Sequence, residues 1–179
     1  MPPLAPPYHD RSFQMLEDHT MLETALLVLL FAAALGSGVM AGIFFAFSNS
    51  VMTALTKIPA AQGVAAMQAI NLAVVNPLFM LAFLGTAIAS VVLIVAALLG
   101  WGDLETGWVI AGSVLYLGGG IGVTAAYNIP RNKALADLAS DAPASTAYWT
   151  RYVPEWTAGN HVRTAGSVAA LACFLLALR

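Results

Sequence analysis

The residues best suited to chemistry lie close together at the start of the last apolar segment of the chain. The stretch 156–164 offers an amide, an imidazole and a guanidinium, on Asn160, His161 and Arg163. On a helix that turns by about 100° per residue, Trp156, Asn160 and Arg163 share one face, and His161 lies at its flank. Charged and amide groups are costly at membrane depth unless they face protein, water or a ligand. We therefore expect this face to look inward.

Further polar residues stand at the ends of the other apolar segments. They are Asn49 after the first segment, Asn71 and Asn76 before the second, and Tyr127, Asn128 and Asn132 after the third. In an up-down-up-down bundle these ends meet at one membrane face, so the topology predicts a polar pocket there. Asparagines are also ordinary helix caps, and an interfacial arginine can reach lipid headgroups. For each residue alone this structural interpretation is simpler, but the convergence of the set favours a functional pocket.

The elements that must position these residues follow from composition. Of 179 residues, 60% are hydrophobic and 9% are charged, whereas a soluble domain carries roughly 25% charged residues. The formal net charge of −2 gives no electrostatic basis for binding nucleic acid. The single cysteine, Cys173, lies in an apolar run and is expected to be an inert buried thiol.

Four apolar runs are each near the ~20 residues that a bilayer requires. We place the spans at about 22–47, 77–99, 108–127 and 155–178. The sequence thus predicts an all-α fold: an integral membrane antiparallel four-helix bundle, with short interfacial helices in the long loops at 60–71 and 133–139. Residues 21–179 are expected to form a single four-span transmembrane domain. Residues 1–20, rich in proline and mixed charge, are interpreted as a disordered or non-native tail.

The basic residues indicate the orientation of the bundle in the membrane, and the glycines indicate where helices pack closely together. The long loops and the adjoining helix start carry Lys57, Arg131, Lys133, Arg151 and Arg163, against Arg11 and Arg179 on the other side. The positive-inside rule predicts cytoplasmic long loops, in a bacterial inner (plasma) membrane. The pairs Gly38/Gly42 and Gly118/Gly122 predict close helix approach, within the bundle or in a homo-oligomer. Gly42→Leu is accordingly expected to damage folding.

Five ordered motifs make the chain resemble a known family. They are AFSNSVM at 46–52, AAMQAIN at 65–71, NPLF at 76–79, YNIPRN at 127–132, and WTAGNHVRT at 156–164. Together they resemble the anthrone oxygenase-like family of small four-span membrane proteins. The resemblance implies oxidation of polycyclic anthrones to anthraquinones with O₂, without an established cofactor. The chain departs from the family pattern at Gly159, where a large aromatic is common, and at Arg131, where an apolar residue is usual.

The resemblance suggests roles for the polar residues. An enolate would need a base, His161, and an oxyanion cradle, made of Arg163, Asn160 and Asn128. Ring-stacking walls would come from Tyr127 and Trp156. The substrate-binding set is completed by Asn49, Asn71, Asn76 and Asn132. The expected partners are the lipid bilayer, a lipophilic aromatic molecule and O₂, with no cofactor predicted.

Two alternatives remain open at this point. No Glu-x-x-His pair or carboxylate cluster occurs in any span, which argues against a di-iron bundle. His161 could still ligate haem or copper, which would make the chain a membrane redox protein. The same pocket could also belong to a non-catalytic membrane binding or transport subunit.

Overall fold

The computed structural model describes residues 9–102 and 104–179, which are helical almost throughout and contain no strand. The helices are α1 (His9–Ala46), α2 (Met52–Leu55), α3 (Ala60–Ala73), α4 (Pro77–Leu99), α5 (Thr106–Leu115), α6 (Ile129–Ala136) and α7 (Pro143–Ala177). A π-helical turn at Phe47–Val51 joins α1 to α2, and π-helical turns at Tyr116–Gly122 and Thr124–Asn128 continue α5 into α6. The predicted all-α fold is confirmed.

The four long helices form an antiparallel bundle. Helix α1 packs against α4 and α7, and α5 packs against the same two helices from the other side. The centre of the bundle is apolar, with Leu30, Phe83, Leu93, Tyr116 and Phe174 buried. Large apolar side chains also cover its outside, which is the pattern of a bundle that sits in lipid rather than in water.

Three helical stretches of the described chain are long and apolar enough to cross a membrane. They are Gln14–Leu55, Pro77–Leu99 and Thr106–Ala136. The chain is therefore a membrane protein. The fourth predicted span, 155–178, is not among them, because polar residues occupy its first half. It nevertheless packs as the fourth helix of the bundle, within α7.

The first helix starts earlier than its predicted span. Residues 1–8 of the predicted tail lie outside the described residues, whereas 9–20 belong to α1. Side-chain pairs at i,i+4 spacing support the helix there, including the contact of 3.1 Å between His19 and Glu23.

Helix α7 also starts earlier than expected, at Pro143, and it continues through Pro154. A proline inside a helix removes one hydrogen bond and costs roughly 3 kcal/mol. Tertiary packing offsets this cost, because Trp149, Tyr152 and Trp156 form an aromatic stripe with ring centroids 5.5 Å and 6.5 Å apart. This stripe is buried against the short helices of the two long loops.

Glycine places α7 and the continuation of α5 in backbone contact. A Cβ on Gly119 would lie 2.9 Å from the Cα of Gly166. The close packing predicted for the 118–122 glycines is thus real, but it occurs at Gly119 rather than at Gly118. On α1, Gly38 faces Leu171, whereas Gly42 has nothing within 4 Å. The prediction that Gly42 holds a helix contact is wrong for this bundle, since Gly42 lies on its outer surface.

The short helices cover one end of the bundle. Helices α2, α3 and α6 pack with the first turns of α7 around Met52, Met67, Leu135 and Trp149. The Nε2 of Gln68 donates 2.9 Å hydrogen bonds to the carbonyls of Leu135 and Leu138, which ties α3 to α6. We call this layer of α2, α3 and α6 the cap. The ends of all four long helices that carry polar residues meet beneath it.

Candidate functional site

A cavity of about 380 Å³ lies between the cap and the bundle. Its lining comes from the end of α1, from α3, from the start of α4, from α6 with the π-helical turn before it, and from α7. Most of the wall is apolar, including Phe44, Phe47, Phe79 and Phe83. The polar residues of the lining are Asn71, Thr124, Asn132, Lys133 and Arg163. The volume lies within the roughly 300–1,000 Å³ of small-molecule sites.

Arg163 is the central polar residue of this cavity. It is 7% exposed, and its guanidinium carbon lies 4.3 Å from the ring centroid of Phe44 and 5.1 Å from that of Trp156. One terminal nitrogen donates to the hydroxyl of Thr124 at 3.3 Å and the other donates to the side-chain oxygen of Asn160. Its Nε has no hydrogen-bond partner in the described chain. Nor does any described carboxylate lie within ion-pair distance of it.

Asn160 fixes the position of this arginine. Its amide nitrogen donates 2.6 Å hydrogen bonds to the carbonyl of Phe44 and to the hydroxyl of Ser48, and its oxygen accepts from Arg163. Ser48 lies in the π-helical turn Phe47–Val51, where the backbone bonding pattern shifts from i→i+4 to i→i+5. Asn160 thereby connects α7 to the end of α1 and holds the guanidinium over the cavity.

Asn132 organises a second polar group at the cavity wall. Its side-chain oxygen accepts from the Tyr152 hydroxyl at 2.9 Å and from the Trp156 indole at 2.8 Å. Burial raises the pKa of Tyr152 above its ordinary value, so its hydroxyl stays neutral and available as a donor. Because its oxygen is already occupied, Asn132 has only the NH₂ group to offer to a ligand.

The predicted site residues separate into three groups. Four of them line the cavity: Asn71, Asn132, Trp156 and Arg163. Two lie behind its wall: Asn160, which is fully buried, and Asn128, which donates to the Trp156 carbonyl at 3.2 Å. The other four face elsewhere: Asn49, Asn76, Tyr127 and His161. The predicted convergence of helix ends therefore holds for six of these ten residues.

Asn49 and Asn76 have structural surroundings. Asn76 is the N-cap of α4, and its side-chain oxygen accepts from the backbone N–H of Phe79 at 3.0 Å. Asn49 is exposed, and its amide contacts the neighbouring Ser50 hydroxyl at 3.3 Å. Neither residue reaches the cavity. For these two residues the simpler interpretation, that helix-end asparagines are local hydrogen-bonding groups, describes the structure.

His161 does not share the cavity with Arg163. It is exposed and lines a separate shallow groove between the end of α1 and the start of α7, together with Lys57. The two residues are two positions apart, which on an α-helix turns their side chains about 160° away from each other. The sequence placed His161 at the flank of the inward face, but it lies on the outward face.

Tyr127 faces α7 rather than the cavity. A Cβ on Gly159 would clash with the Tyr127 ring, so only glycine allows this ring to pack there. The Arg131 guanidinium lies 3.5 Å from the centroid of the same ring and forms a 2.9 Å ion pair with Glu155. The two departures from the family pattern, at Gly159 and Arg131, thus meet on one tyrosine outside the cavity.

Sequence reasoning missed the apolar part of the site. Phe44, Phe79 and Phe83 form much of the wall, and nothing in their spacing distinguishes them from ordinary bundle core. Thr124 and Lys133 were also missed as site residues. Thr124 stands one turn before Asn128 on the same helical stretch, and this i,i+4 spacing is a signal that could have found it.

In the described part of the chain, no three His, Cys, Asp or Glu side chains lie close enough together to hold a metal ion. A haem or copper at His161 stays a hypothesis. The cavity residues offer nitrogen donors and apolar rings, which suit a neutral or anionic organic molecule.

These features define a small helical membrane protein with a capped apolar cavity and a buried guanidinium that has no carboxylate partner among the described residues. A family model described as Anthrone oxygenase matches residues 79–173, more than half of the chain. The chain belongs to the anthrone oxygenase family, as its motifs indicated. The match includes Asn132, Trp156 and Arg163, whereas the parts of α1 and α3 that complete the cavity precede it. No curated protein and no solved structure matches the chain.

Proposed function

We propose that this protein oxidises a lipophilic, enolisable polycyclic aromatic compound, such as an anthrone of polyketide origin, with O₂ in the cavity beside Arg163. Family membership supports oxygenase chemistry. The observation that carries the proposal is the state of Arg163: a buried guanidinium that faces an apolar cavity with no carboxylate partner among the described residues. Burying an unpaired charge is costly, so the site favours a ligand that supplies a negative charge.

An enolate supplies that charge only when the substrate loses a proton. The guanidinium donates to the enolate oxygen and therefore stabilises the deprotonated form more than the neutral ketone. Asn132 offers an additional N–H donor at the same wall. The aromatic side chains around the cavity provide apolar surfaces that hold the rings of the substrate.

The proposed reaction balances without a further reductant. The methylene C–H bond breaks, its proton leaves to water, and the enolate transfers one electron to O₂. The resulting carbon radical and superoxide combine to form a C–O bond, and protonation gives a hydroperoxide. Loss of water then breaks the O–O bond and the remaining C–H bond, leaving a carbonyl. One oxygen atom of O₂ enters the product and the other becomes water. We propose no cofactor for these steps.

We propose that the proton leaves through the opening of the cavity. The exposed residues of the cavity lining are Val75, Ile129, Lys133 and Ala136, and they mark its opening. His161 does not line this opening, and we assign the proton to solvent rather than to the imidazole. The exposed apolar residues beside the opening, such as Val75 and Leu78, favour entry of the substrate from the bilayer.

The test is oxidation of an anthrone by purified protein under O₂ labelled with heavy oxygen. We expect quinone formation above the uncatalysed rate, with one labelled oxygen in each product molecule. Arg163→Met should remove the enzymatic increment, whereas Arg131→Met, which removes a guanidinium outside the cavity, should retain most of it. Binding of the anthrone without oxygen consumption would instead support the non-catalytic binding function.

We further propose that the protein lies in a bacterial plasma membrane with its long loops cytoplasmic. Lys57, Arg131, Lys133 and Arg151 all lie at the capped end of the bundle, which agrees with the positive-inside rule. Single cysteines at Asp141 and Glu105, both exposed, can be tested in a Cys173→Ser background. A membrane-impermeant thiol reagent added outside intact cells should label position 105 and not position 141. The reverse pattern would contradict this orientation.

A homo-oligomer through the outward glycines Gly42 and Gly118 remains a proposal.

A further inference from the structure

A second polar site lies on the other side of α7 from the cavity. It is a groove of about 350 Å³ between the end of α1, the turn after α2 and the start of α7. We call it the outer groove. Its polar lining consists of Ser48, Thr53, Thr56, Lys57, Thr157 and His161. The oxidation proposed above uses none of these side chains for chemistry, so the outer groove needs an explanation of its own.

The groove offers hydrogen-bond donors and one full positive charge. Lys57 is exposed and has no acidic partner within ion-pair distance in the described chain. The Thr157 hydroxyl is buried and has no hydrogen-bond partner among the described residues. His161 adds an imidazole donor. None of the residues that line the groove is acidic. A ligand with several anionic oxygens matches this set of donors.

The location of the groove further restricts the kinds of ligand that could bind there. It lies at the capped end of the bundle, where the polar first half of α7 begins and where the loops carry the basic residues. The polar headgroup region is the part of a bilayer in which lysine and exposed histidine are tolerated. With the capped end in the cytoplasm, as proposed above, anionic lipids of that leaflet attract each lysine or arginine near the surface.

We infer that the outer groove binds a phosphate group between Lys57 and His161, with the Thr157 hydroxyl as a further donor. The chemistry is the same for the phosphodiester of an anionic membrane lipid and for inorganic phosphate. A lipid could also place its acyl chain along the apolar side chains of Met52 and Val153, which line the same groove.

This site lies back to back with the cavity. Ser48 lines the groove, and its hydroxyl accepts the hydrogen bond from Asn160 that helps to position Arg163. A phosphate in the groove would thus lie beside Ser48, whose hydroxyl is hydrogen-bonded to Asn160. Asn160 in turn accepts the hydrogen bond from the Arg163 guanidinium. Binding itself does not depend on any reaction in the cavity and can be measured separately.

The experiment is native mass spectrometry of the protein in mild detergent, titrated with phosphatidylglycerol or phosphatidylcholine. We expect phosphatidylglycerol to bind more tightly than phosphatidylcholine, and its affinity to fall roughly fivefold in Lys57→Gln. The loss of one hydrogen-bond donor in His161→Gln should weaken binding by a smaller factor. Thr157→Val, which keeps the side-chain shape, should weaken binding by a smaller factor. The matched control is Arg151→Gln, which removes an exposed charge at the same end but outside the groove, and it should bind like the parent.

A parallel arm titrates inorganic phosphate into lipid-free micelles and measures the Tm. A phosphate-dependent increase that Lys57→Gln and His161→Gln lack would identify free phosphate as a ligand of the same site. Preferential phosphatidylglycerol binding without such an increase would identify the lipid as the source. Parent-like behaviour of Lys57→Gln, His161→Gln and Thr157→Val in both arms would overturn the inference. An equal loss in Arg151→Gln would also overturn it, because general surface charge would then explain the binding.

Discussion

The inward and outward faces of the first half of α7 carry similar polar residues with different surroundings. Arg163 points inward, where two aromatic rings, Thr124 and Asn160 surround it and a cavity opens beside it. His161 points outward into a shallow groove beside Lys57. Both side chains carry nitrogen donors and lie at the start of the same apolar segment. The comparison shows that helical phase, rather than residue type, decides which of them lines the cavity.

The inward face is also the more constrained of the two. A chain of hydrogen bonds runs from the Phe44 carbonyl through Asn160 to one terminal nitrogen of the Arg163 guanidinium. The outward face has exposed side chains and open space. We therefore expect substitutions on the inward face to affect the chemistry or the fold, and substitutions on the outward face to affect neither strongly.

The largest effect is expected for Arg163→Lys. Lysine keeps the charge but cannot reproduce the planar guanidinium that lies against the rings of Phe44 and Trp156 and donates in several directions. Loss of an oxyanion donor costs about 10²–10³ in kcat. We expect a decrease of that size in quinone formation with an unchanged helical CD spectrum. Arg131→Lys is the matched control and should stay within a few-fold of the parent. Full activity of Arg163→Lys would contradict the proposal that the enolate binds beside Arg163 on the inward face.

A smaller but mixed effect is expected for Asn160→Leu. This change removes the donor to Phe44 and Ser48 and the acceptor for Arg163. Leaving such buried groups without partners costs about 1–3 kcal/mol, so the Tm in detergent should fall. Activity should fall about tenfold or more as the guanidinium loses its position. Thr164→Val is the control, because the Thr164 hydroxyl bonds only to the backbone of its own helix in the described structure. Equal losses in both variants would contradict a specific role for Asn160.

The sequence predicted the bundle and the inward face for identifiable reasons. Asn76 and Pro77 form an N-cap and first turn, and Gly100 ends α4 at a φ of +68°, so both boundaries of this span carried local signals. Trp156, Asn160 and Arg163 recur at helical spacing, which predicted their common face. The family motifs then agreed with this placement.

Other parts of the structure depend on packing that the sequence does not display. Helix α7 continues through Pro154 because the aromatic stripe packs against the cap and stabilises the helix there. The sequence around Pro154 contains no local pattern that predicts this continuation. The cavity walls are phenylalanines that read as ordinary core. The prediction for His161 was wrong because a residue at the edge of the inward face can border either the cavity or the outer surface. The packing of α1 against α7 determines that His161 borders the outer groove.

Two glycines, Gly119 and Gly42, allow the inward and outward faces of the bundle to be compared in its apolar part. Gly119 points inward, and a side chain there would meet the backbone of Gly166 at 2.9 Å. Overpacking of this kind costs about 1–3 kcal/mol, so Gly119→Leu should lower the Tm and the yield of folded protein. Gly42 points outward with nothing within 4 Å, and Gly42→Leu should change stability by less than about 0.5 kcal/mol. Strong destabilisation by Gly42→Leu, as expected from the GxxxG pattern alone, would indicate a helix contact outside this bundle.

The smallest effect is expected for His161→Gln. A general base in contact with the substrate contributes about 10²–10⁴ in rate, and a loss of that size is what the role of base, assigned to His161 from the sequence, would predict. The imidazole instead lies in the outer groove, and Arg163 lies on the opposite side of the helix.

We therefore expect kcat/KM for anthrone oxidation to change by less than about threefold, the range of surface substitutions. The measurement should be made in one zwitterionic detergent without added phosphate or anionic lipid, so that occupancy of the outer groove does not differ between variants. A loss of a hundredfold or more with an intact fold would mean that the imidazole reaches the substrate. The reaction would then have to take place on the outward face, and the division between the two faces of α7 would fail. A change within threefold, next to the loss in Arg163→Lys, would assign the chemistry to the inward face and leave His161 to the outer groove.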